Sequence, residues 1–214
     1  RPGRLIVIEG EAGIGKTRLV ETLVGQAQAG GGLALLGRAH ESEQVLPLGP
    51  WVDAFRAGQV VPRLVEGLDA PWRAELRRLF PDIGAAARDE PAAEDYVRLF
   101  EAVVRTVDHL AVARPLLIVL EDLHWADEMS LRLLVFLARR MSDWPVLVVG
   151  TFRSEEMVDA AVLRRSIAQL GRQSRSLSVS LGPLSRPEAM ALLRALARAG
   201  TEDMVVERLG EPIW

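Results

Sequence analysis

Residues 5–17 read Leu-Ile-Val-Ile-Glu-Gly-Glu-Ala-Gly-Ile-Gly-Lys-Thr, an apolar run followed by the pattern G-x-x-x-x-G-K-[ST] over 10–17. The β-branched run predicts a buried strand at Leu5–Ile8, and Lys16–Gln28 carries a helical pattern directly after the glycine-rich turn. Glycines let successive backbone N–H groups turn inward around an anion without a Cβ in the way. The helix that follows points its positive end at the same anion. Gly10, Glu11, Ala12, Gly13, Ile14 and Gly15 are therefore the expected cradle, with Arg18 in the first turn of the helix. Lys16 is placed to reach β- and γ-phosphates, and the Thr17 hydroxyl to ligate Mg²⁺. With this chain's content of Gly, Ser and Thr, such neighbours around one lysine arise by chance with a probability of about 0.0005. The expectation is a phosphate-binding loop between a strand and a helix.

That lysine stands alone. Lys and Arg together number 26, and every one except Lys16 is arginine. Such a bias fits a GC-rich coding history, so an arginine by itself says little about function. The rest of the composition mostly excludes. Cysteine is absent, which removes disulfides, thiolate metal sites and cysteine nucleophiles. His40, His109 and His124 are too scattered for zinc ligation, and a net charge of −3 gives no reason to expect nucleic acid or an anionic membrane as partner. With 49% hydrophobic and 26% charged residues the chain has the make-up of a folded globular protein. No apolar run approaches the roughly 20 residues of a membrane span. The sequence opens on Arg1 with no charged-then-apolar leader, which reads as a fragment excised from a longer chain.

Outward from the loop, apolar strands alternate with helices. Gly30-Gly31-Gly32 closes the first helix, and Leu33–Arg38 is the second strand. Helices are expected near 51–57 and 71–80, a loop over Pro81–Pro91, and a long amphipathic helix over Ala92–Val112. Leu116–Leu120 is a fully apolar strand, Asp127–Arg140 a helix, Val146–Gly150 another strand, 158–170 helical, and Leu177–Leu181 the fifth strand. Alternation of this kind indicates an α/β fold with a parallel sheet covered by helices on both faces. After Pro183 the pattern becomes helical only, over Glu188–Ala199 and Glu202–Leu209. The expected division is an α/β domain over 1–182 and the start of a helical lid over 183–214.

Leu116–Leu120 runs straight into Glu121 and Asp122. A buried strand that ends in carboxylates beside a phosphate loop can hold Mg²⁺ and polarise an attacking water. Such a pair also occurs as solvated loop residues or a helix cap, and the upstream loop is what favours the catalytic reading. Asp127 reads as the N-cap of the next helix, and Trp125 as packing under the loop. His124 is placed either toward the terminal phosphate or in a structural hydrogen bond. Val146–Gly150 leads into Thr151-Phe152-Arg153, and polar residues at the end of a parallel strand face the ligand crevice. Thr151 or Arg153 is thereby a candidate sensor of the γ-phosphate, with a plain surface charge as the other reading of Arg153.

Four stretches together, GEAGIGKTRLVETL (10–23), LLIVLEDLHWADEMSLRLLVFLARR (116–140), VLVVGTFRSEE (146–156) and LGPLSRPEAMALL (181–193), closely resemble the nucleotide-binding domain of STAND ATPases. The similarity is greatest to the AAA-type module of bacterial large ATP-binding LuxR-type and MalT-like regulators, and it covers residues 4–200. The resemblance implies a P-loop NTPase core of the ASCE/AAA-like class followed by a helical lid. It puts Lys16 and Thr17 on the first motif and Glu121 with Asp122 on the second, Arg153 at a sensor position, and Pro183 where a lid proline approaches the adenine. Asp122, Glu121 and Arg153 are then the catalytic candidates, Thr17 and Glu121 the Mg²⁺ ligands. Two departures stand out: the sequence begins too late to contain the short Gly-Arg-Glu segment that the family has before the first strand, and Glu121 sits where Asp is also frequent.

The implied function is an ATP-binding, slowly hydrolysing switch in a cytoplasmic signal-transduction or transcription regulator. Its expected partners are ATP or ADP, other domains of the same chain and a second copy, with no nucleic acid and no membrane contacted by this region. A nucleotide-binding scaffold with structural ADP and a small-molecule kinase with an acceptor pocket near 45–95 are the alternatives. A guanine-specific [NT]-K-x-D motif is excluded because the only lysine is Lys16, and the absence of a Leu-Ser-Gly-Gly-Gln run disfavours a transporter ATPase.

Overall fold

The computed structural model describes residues 2–64, 68–83, 96–172 and 175–196. Five strands, β1 (Arg4–Gly10), β2 (Leu33–Arg38), β3 (Leu116–Glu121), β4 (Val146–Arg153) and β5 (Ser176–Leu181), form one sheet in the order β2-β3-β4-β1-β5. All pairings are parallel. Parallel neighbours need crossovers, and the helices supply them: α1 (Lys16–Ala29), α2 (Gly49–Ala57), α3 (Val61–Leu64), α4 (Ala70–Leu76), α5 (Tyr96–Ala113), α6 (Glu128–Ala138) and α7 (Ala161–Leu170). The expected α/β class, with a parallel P-loop-type sheet and helices on both faces, is what the chain adopts.

Alternating strand residues sort the core into two layers of unequal size. Leu5, Val7, Leu35, Ile118, Leu120 and Val148 share one large cluster with α2, α4, α5, α6 and α7. Ile8, Leu117, Val119 and Val149 form the smaller cluster on the other face, where they meet Val20 of α1. β3, central and apolar, has all six residues buried. β5 departs from that character: its sequence Ser-Leu-Ser-Val-Ser-Leu alternates, and Leu177 is 57% exposed. It is an edge strand paired only to β1. β2 and α2 pack closely at Gly37, where a Cβ would lie 1.9 Å from the Pro50 carbonyl oxygen.

The expected elements differ from the observed ones mainly at their ends. β4 extends three residues past Gly150, to Arg153, and the helix expected from 158 begins at Ala161, as α7, after a 3₁₀ turn at Glu155–Met157. The loop expected over Pro81–Pro91 begins as a 3₁₀ turn at Pro81–Ile83, and the rest of it lies outside the described residues.

The chain divides into two compact units, 1–181 and 182–214. In the second, α8 (Arg186–Leu196) follows Ser185, whose N–H and Oγ both donate to Glu188 Oε2, at 2.7 and 2.6 Å, the Glu-to-N-cap half of a capping box. The helix expected over Glu202–Leu209 lies outside the described residues. Among the described residues no helix is long and apolar enough to cross a membrane.

Candidate functional site

The parallel sheet brings the C-terminal ends of β1, β2, β3 and β4 to one edge, and polar residues leave each of them there. β1 ends at Gly10 and the chain turns through Gly13 (φ 77°) and Gly15 (φ 110°), left-handed conformations that glycine adopts at little cost. α1 begins at Lys16. The buried Lys16 ammonium donates to the Gly10 and Glu11 carbonyl oxygens, at 2.7 and 2.8 Å. Burial pulls its pKa down, and the charges of Glu155 and Asp122 act against that.

Next to it, the Thr17 hydroxyl donates to Glu121 Oε1 at 3.3 Å. Glu121 is the last residue of β3 and is buried. Its other oxygen, Oε2, accepts from Arg38 Nη2 at 2.9 Å. Asp122 does not continue the strand. It turns into the left-handed region (φ 57°, ψ 45°), its N–H donates to Thr151 Oγ1 at 3.2 Å, and its Oδ2 lies 3.6 Å from Arg38 Nε. One guanidinium thus bridges both carboxylates.

Arg153 closes the opposite side. Its guanidinium carbon lies 5.0 Å from the Trp125 ring centroid, and its backbone N–H donates to His124 Nδ1 at 3.4 Å. Burial pushes the His124 pKa down, in the same sense as its Nδ1 accepting that hydrogen bond. Of the two readings of His124, the structural hydrogen bond is the one present. The Trp125 ring faces the Arg153 guanidinium and lies 4.5 Å, centroid to centroid, from the His124 ring. Asp127 caps α6 through the Ser130 N–H, and in addition accepts from Ser130 Oγ and from the distant Leu48 N–H.

These groups surround a cavity of about 320 Å³ lined by Ala12, Gly13, Gly15, Lys16, Thr17, Arg38, Asp122 and Arg153. Gly10 and Glu11 contribute carbonyls to Lys16 instead of lining the cavity, and half-buried Ile14 donates its N–H to the Glu11 carbonyl. The Arg18 side chain is exposed and pairs with Glu21 at 3.2 Å, away from the cavity. Glu121 lies behind Thr17 and Arg38 and borders a second cavity of about 440 Å³, shared with Asp53 and Arg56. Pro183 belongs to the second unit.

Two participants were not singled out from the sequence. Arg38 was hidden among many arginines; its signal is position, the C-terminal residue of β2 directly opposite Glu121 in the parallel register. Glu155 Oε1 accepts a hydrogen bond from the Ala12 N–H at 2.9 Å. Hydrogen bonds from its own N–H and that of Ala12 hold its carboxyl below the usual carboxylate range, helped by the charges of Lys16 and Arg153. Nothing in the RSEE string around it marks it in advance.

The arrangement offers an anion-binding turn, a lysine, and a hydroxyl beside a carboxylate. That last pair is an all-oxygen donor set suited to a hard divalent cation such as Mg²⁺.

Comparison with known proteins agrees with this geometry. Residues 1–149 match the family described as "AAA ATPase domain". An uncharacterized protein of Rhizobium meliloti (strain 1021) is 29% identical over 185 residues, an alignment that covers 74% of this chain and 17% of that protein. The chain therefore spans under a fifth of that relative's length. Among solved structures, Cdc6p from Pyrobaculum aerophilum is similar with a TM-score of 0.51 at 11% identity, over 97% of this chain and 48% of that one. A STAND protein with a tetratricopeptide repeat sensor from Pyrococcus horikoshii is similar with a TM-score of 0.50 at 16% identity, over 98% of this chain and 25% of that one. At these identities the structures share the fold. With the family matched over most of its length and a phosphate loop in place, the chain belongs to the AAA ATPase domain family of P-loop nucleotide-binding modules.

Proposed function

We propose that this chain is the ATP-hydrolysing switch module of a larger STAND-type signalling protein, of the kind found in bacterial LuxR-type and MalT-like regulators. The observation that carries the reading is the convergence of Lys16, Thr17, Asp122 and Arg153 on one cavity. In this reading the loop from Ala12 to Gly15 binds the phosphates with Lys16. Thr17 and Glu121 hold Mg²⁺, which would supply charge neutralisation between the phosphates. Asp122 polarises the attacking water, and Arg153 stabilises the transferring phosphoryl group. The residues from 183 onward would serve as a lid, with Pro183 its adenine-side residue. ATP and ADP would favour different lid positions and so expose different surfaces to the other domains or to a second copy. The small fraction of the Rhizobium meliloti and Pyrococcus horikoshii proteins that the chain spans supports a module working within a longer chain.

A second reading has one specific observation in its favour. Arg38 engages both Glu121 and Asp122, at 2.9 and 3.6 Å. A carboxylate so paired is a poor base, which fits a scaffold that holds ADP without turning ATP over. Single-turnover hydrolysis of MgATP by the purified chain separates the two. Conversion of bound ATP to ADP within minutes supports the switch; ATP retained intact over hours supports the scaffold.

A further inference from the structure

The phosphate loop is bound by an anion of the protein's own. Glu155 and Ala12 lie 143 positions apart in the sequence, and the fold joins them through a hydrogen bond of 2.9 Å. β1 and β4 run side by side with Gly10 opposite Arg153, so the phosphate loop and the 3₁₀ turn at Glu155–Met157 leave the sheet together. The Ser154 N–H donates to the Gly10 carbonyl at 3.4 Å, which ties the base of that turn to the base of the loop. Ala12 is also a wall of the 320 Å³ cavity, with Lys16, Asp122 and Arg153. The Glu155 carboxylate is therefore attached to the rim of a cavity whose turn is built to receive anions. Packing does not demand this placement, because Glu155 is exposed and water would satisfy its carboxylate equally well.

We infer that Glu155 sets the nucleotide preference of the loop: its carboxylate opposes the terminal phosphate of ATP and leaves ADP unopposed. The inference rests on reading the cavity as a nucleotide site. The strand-end groups Asp122 and Arg153 share the cavity with Ala12, and in that reading they serve the terminal phosphate. A carboxylate on the Ala12 N–H adds negative charge on the side that only the triphosphate reaches. Lys16 and Arg153, both close enough to act on Glu155 electrostatically, are the cations for which the carboxylate and the phosphate compete. At an exposed position water and salt screen the repulsion, so the result is a bias of about three- to tenfold. The module then rests with ADP, and ATP binding draws the Glu155–Met157 turn off the loop.

Titration calorimetry with MgADP and with a non-hydrolysable MgATP analogue, on the parent chain, Glu155→Gln and Glu155→Ala, tests this. Gln keeps an oxygen for the Ala12 N–H and loses the charge. The expected result is analogue affinity raised about three- to tenfold in Glu155→Gln with ADP affinity within about twofold, the gain shrinking as salt is raised. If ADP binds and the analogue-to-ADP ratio is the same in parent and Glu155→Gln, the inference is overturned while the nucleotide site stands. If Glu155→Ala weakens both nucleotides in parallel and Glu155→Gln matches the parent, the residue is a brace for the loop and sets no preference. If the parent binds neither nucleotide, the reading of the cavity falls and this inference falls with it.

Discussion

Lys16 uses two of its three N–H donors on the Gly10 and Glu11 carbonyls, which orients the ammonium across the loop and leaves the third for an incoming phosphate. Lys16→Ala should abolish nucleotide-dependent stabilisation in a thermal-shift titration with MgATP while the chain still unfolds cooperatively. An ATP-dependent shift equal to the parent's would remove Lys16 from the site. The sequence singled out this position as a lone lysine in a glycine-rich turn, and its ammonium does lie across that turn's carbonyls. The division of labour between Glu121 and Asp122 was less legible, since a sequence gives their adjacency and not their directions. Glu121 presents Oε1 to Thr17 and Oε2 to Arg38, the posture of a metal-side ligand. Asp122, turned out of the strand by its left-handed backbone, lines the phosphate cavity instead. Glu121→Gln should therefore raise the Mg²⁺ concentration needed for half-maximal ATP binding. Asp122→Asn should bind MgATP normally and slow single-turnover hydrolysis by about 10²–10⁴. Hydrolysis at the parental rate in Asp122→Asn would take the base role from Asp122.

At the scale of elements, apolar runs located β1, β3 and β4, because a strand buried on both faces reads as a nearly continuous apolar stretch, whereas β5 showed itself by the alternation of a half-exposed edge strand. Past the apolar run that signal fades: β4 continues through Thr151-Phe152-Arg153, and the 3₁₀ turn after it is tied to the glycine-rich loop by the Ser154 N–H to the Gly10 carbonyl and the Ala12 N–H to Glu155 Oε1, contacts that carry no periodicity of their own. The contact between Glu155 and Ala12 belongs to this class, as does the one between Arg38 and Glu121. Both join residues at or just past the ends of strands that are adjacent in space and remote in sequence. Asp127 shows a local signal carrying a long-range role. Its expected capping bond to the Ser130 N–H is present at 2.9 Å, and Oδ2 also accepts from Ser130 Oγ at 2.5 Å and from the Leu48 N–H at 3.1 Å. Leu48 has a left-handed backbone (φ 64°) and immediately precedes α2, so one buried carboxylate fixes the starts of two helices. Asp127→Ala should cost about 2–4 kcal/mol, more than a surface cap, since it leaves buried donors without acceptors. Asp127→Asn should recover part of that. Urea unfolding midpoints of the three proteins measure it, and a loss under about 1 kcal/mol in Asp127→Ala would reduce Asp127 to an ordinary cap.

For the molecule as a whole, strand order decides which residues can act together, and order is the feature that alternation of strands and helices leaves open. Placing β3 between β2 and β4 puts Arg38 on one flank of the carboxylate pair and Thr151 and Arg153 on the other. Had β2 been placed elsewhere, Arg38 would be a surface charge and Asp122 a free base. As built, Asp122 is paired with a guanidinium and the glycine-rich loop carries Glu155; in the proposed reading these are the base and the turn that receives the terminal phosphate. In that reading the first acts against the chemical step and the second against binding of the triphosphate. The chain does have an arginine of its own, Arg153, on the cavity. A P-loop hydrolase with its arginine in cis turns over at about 10⁻² per second, and one that waits for an arginine from a partner is slower by about 10³–10⁵ than its activated form. The chain alone should therefore hydrolyse MgATP at or below about 10⁻² per second in steady state. Arg38→Ala should raise the single-turnover rate by freeing Asp122, while a rate of tens per second in the unmodified chain would show that the Arg38 pairing does not restrain the base.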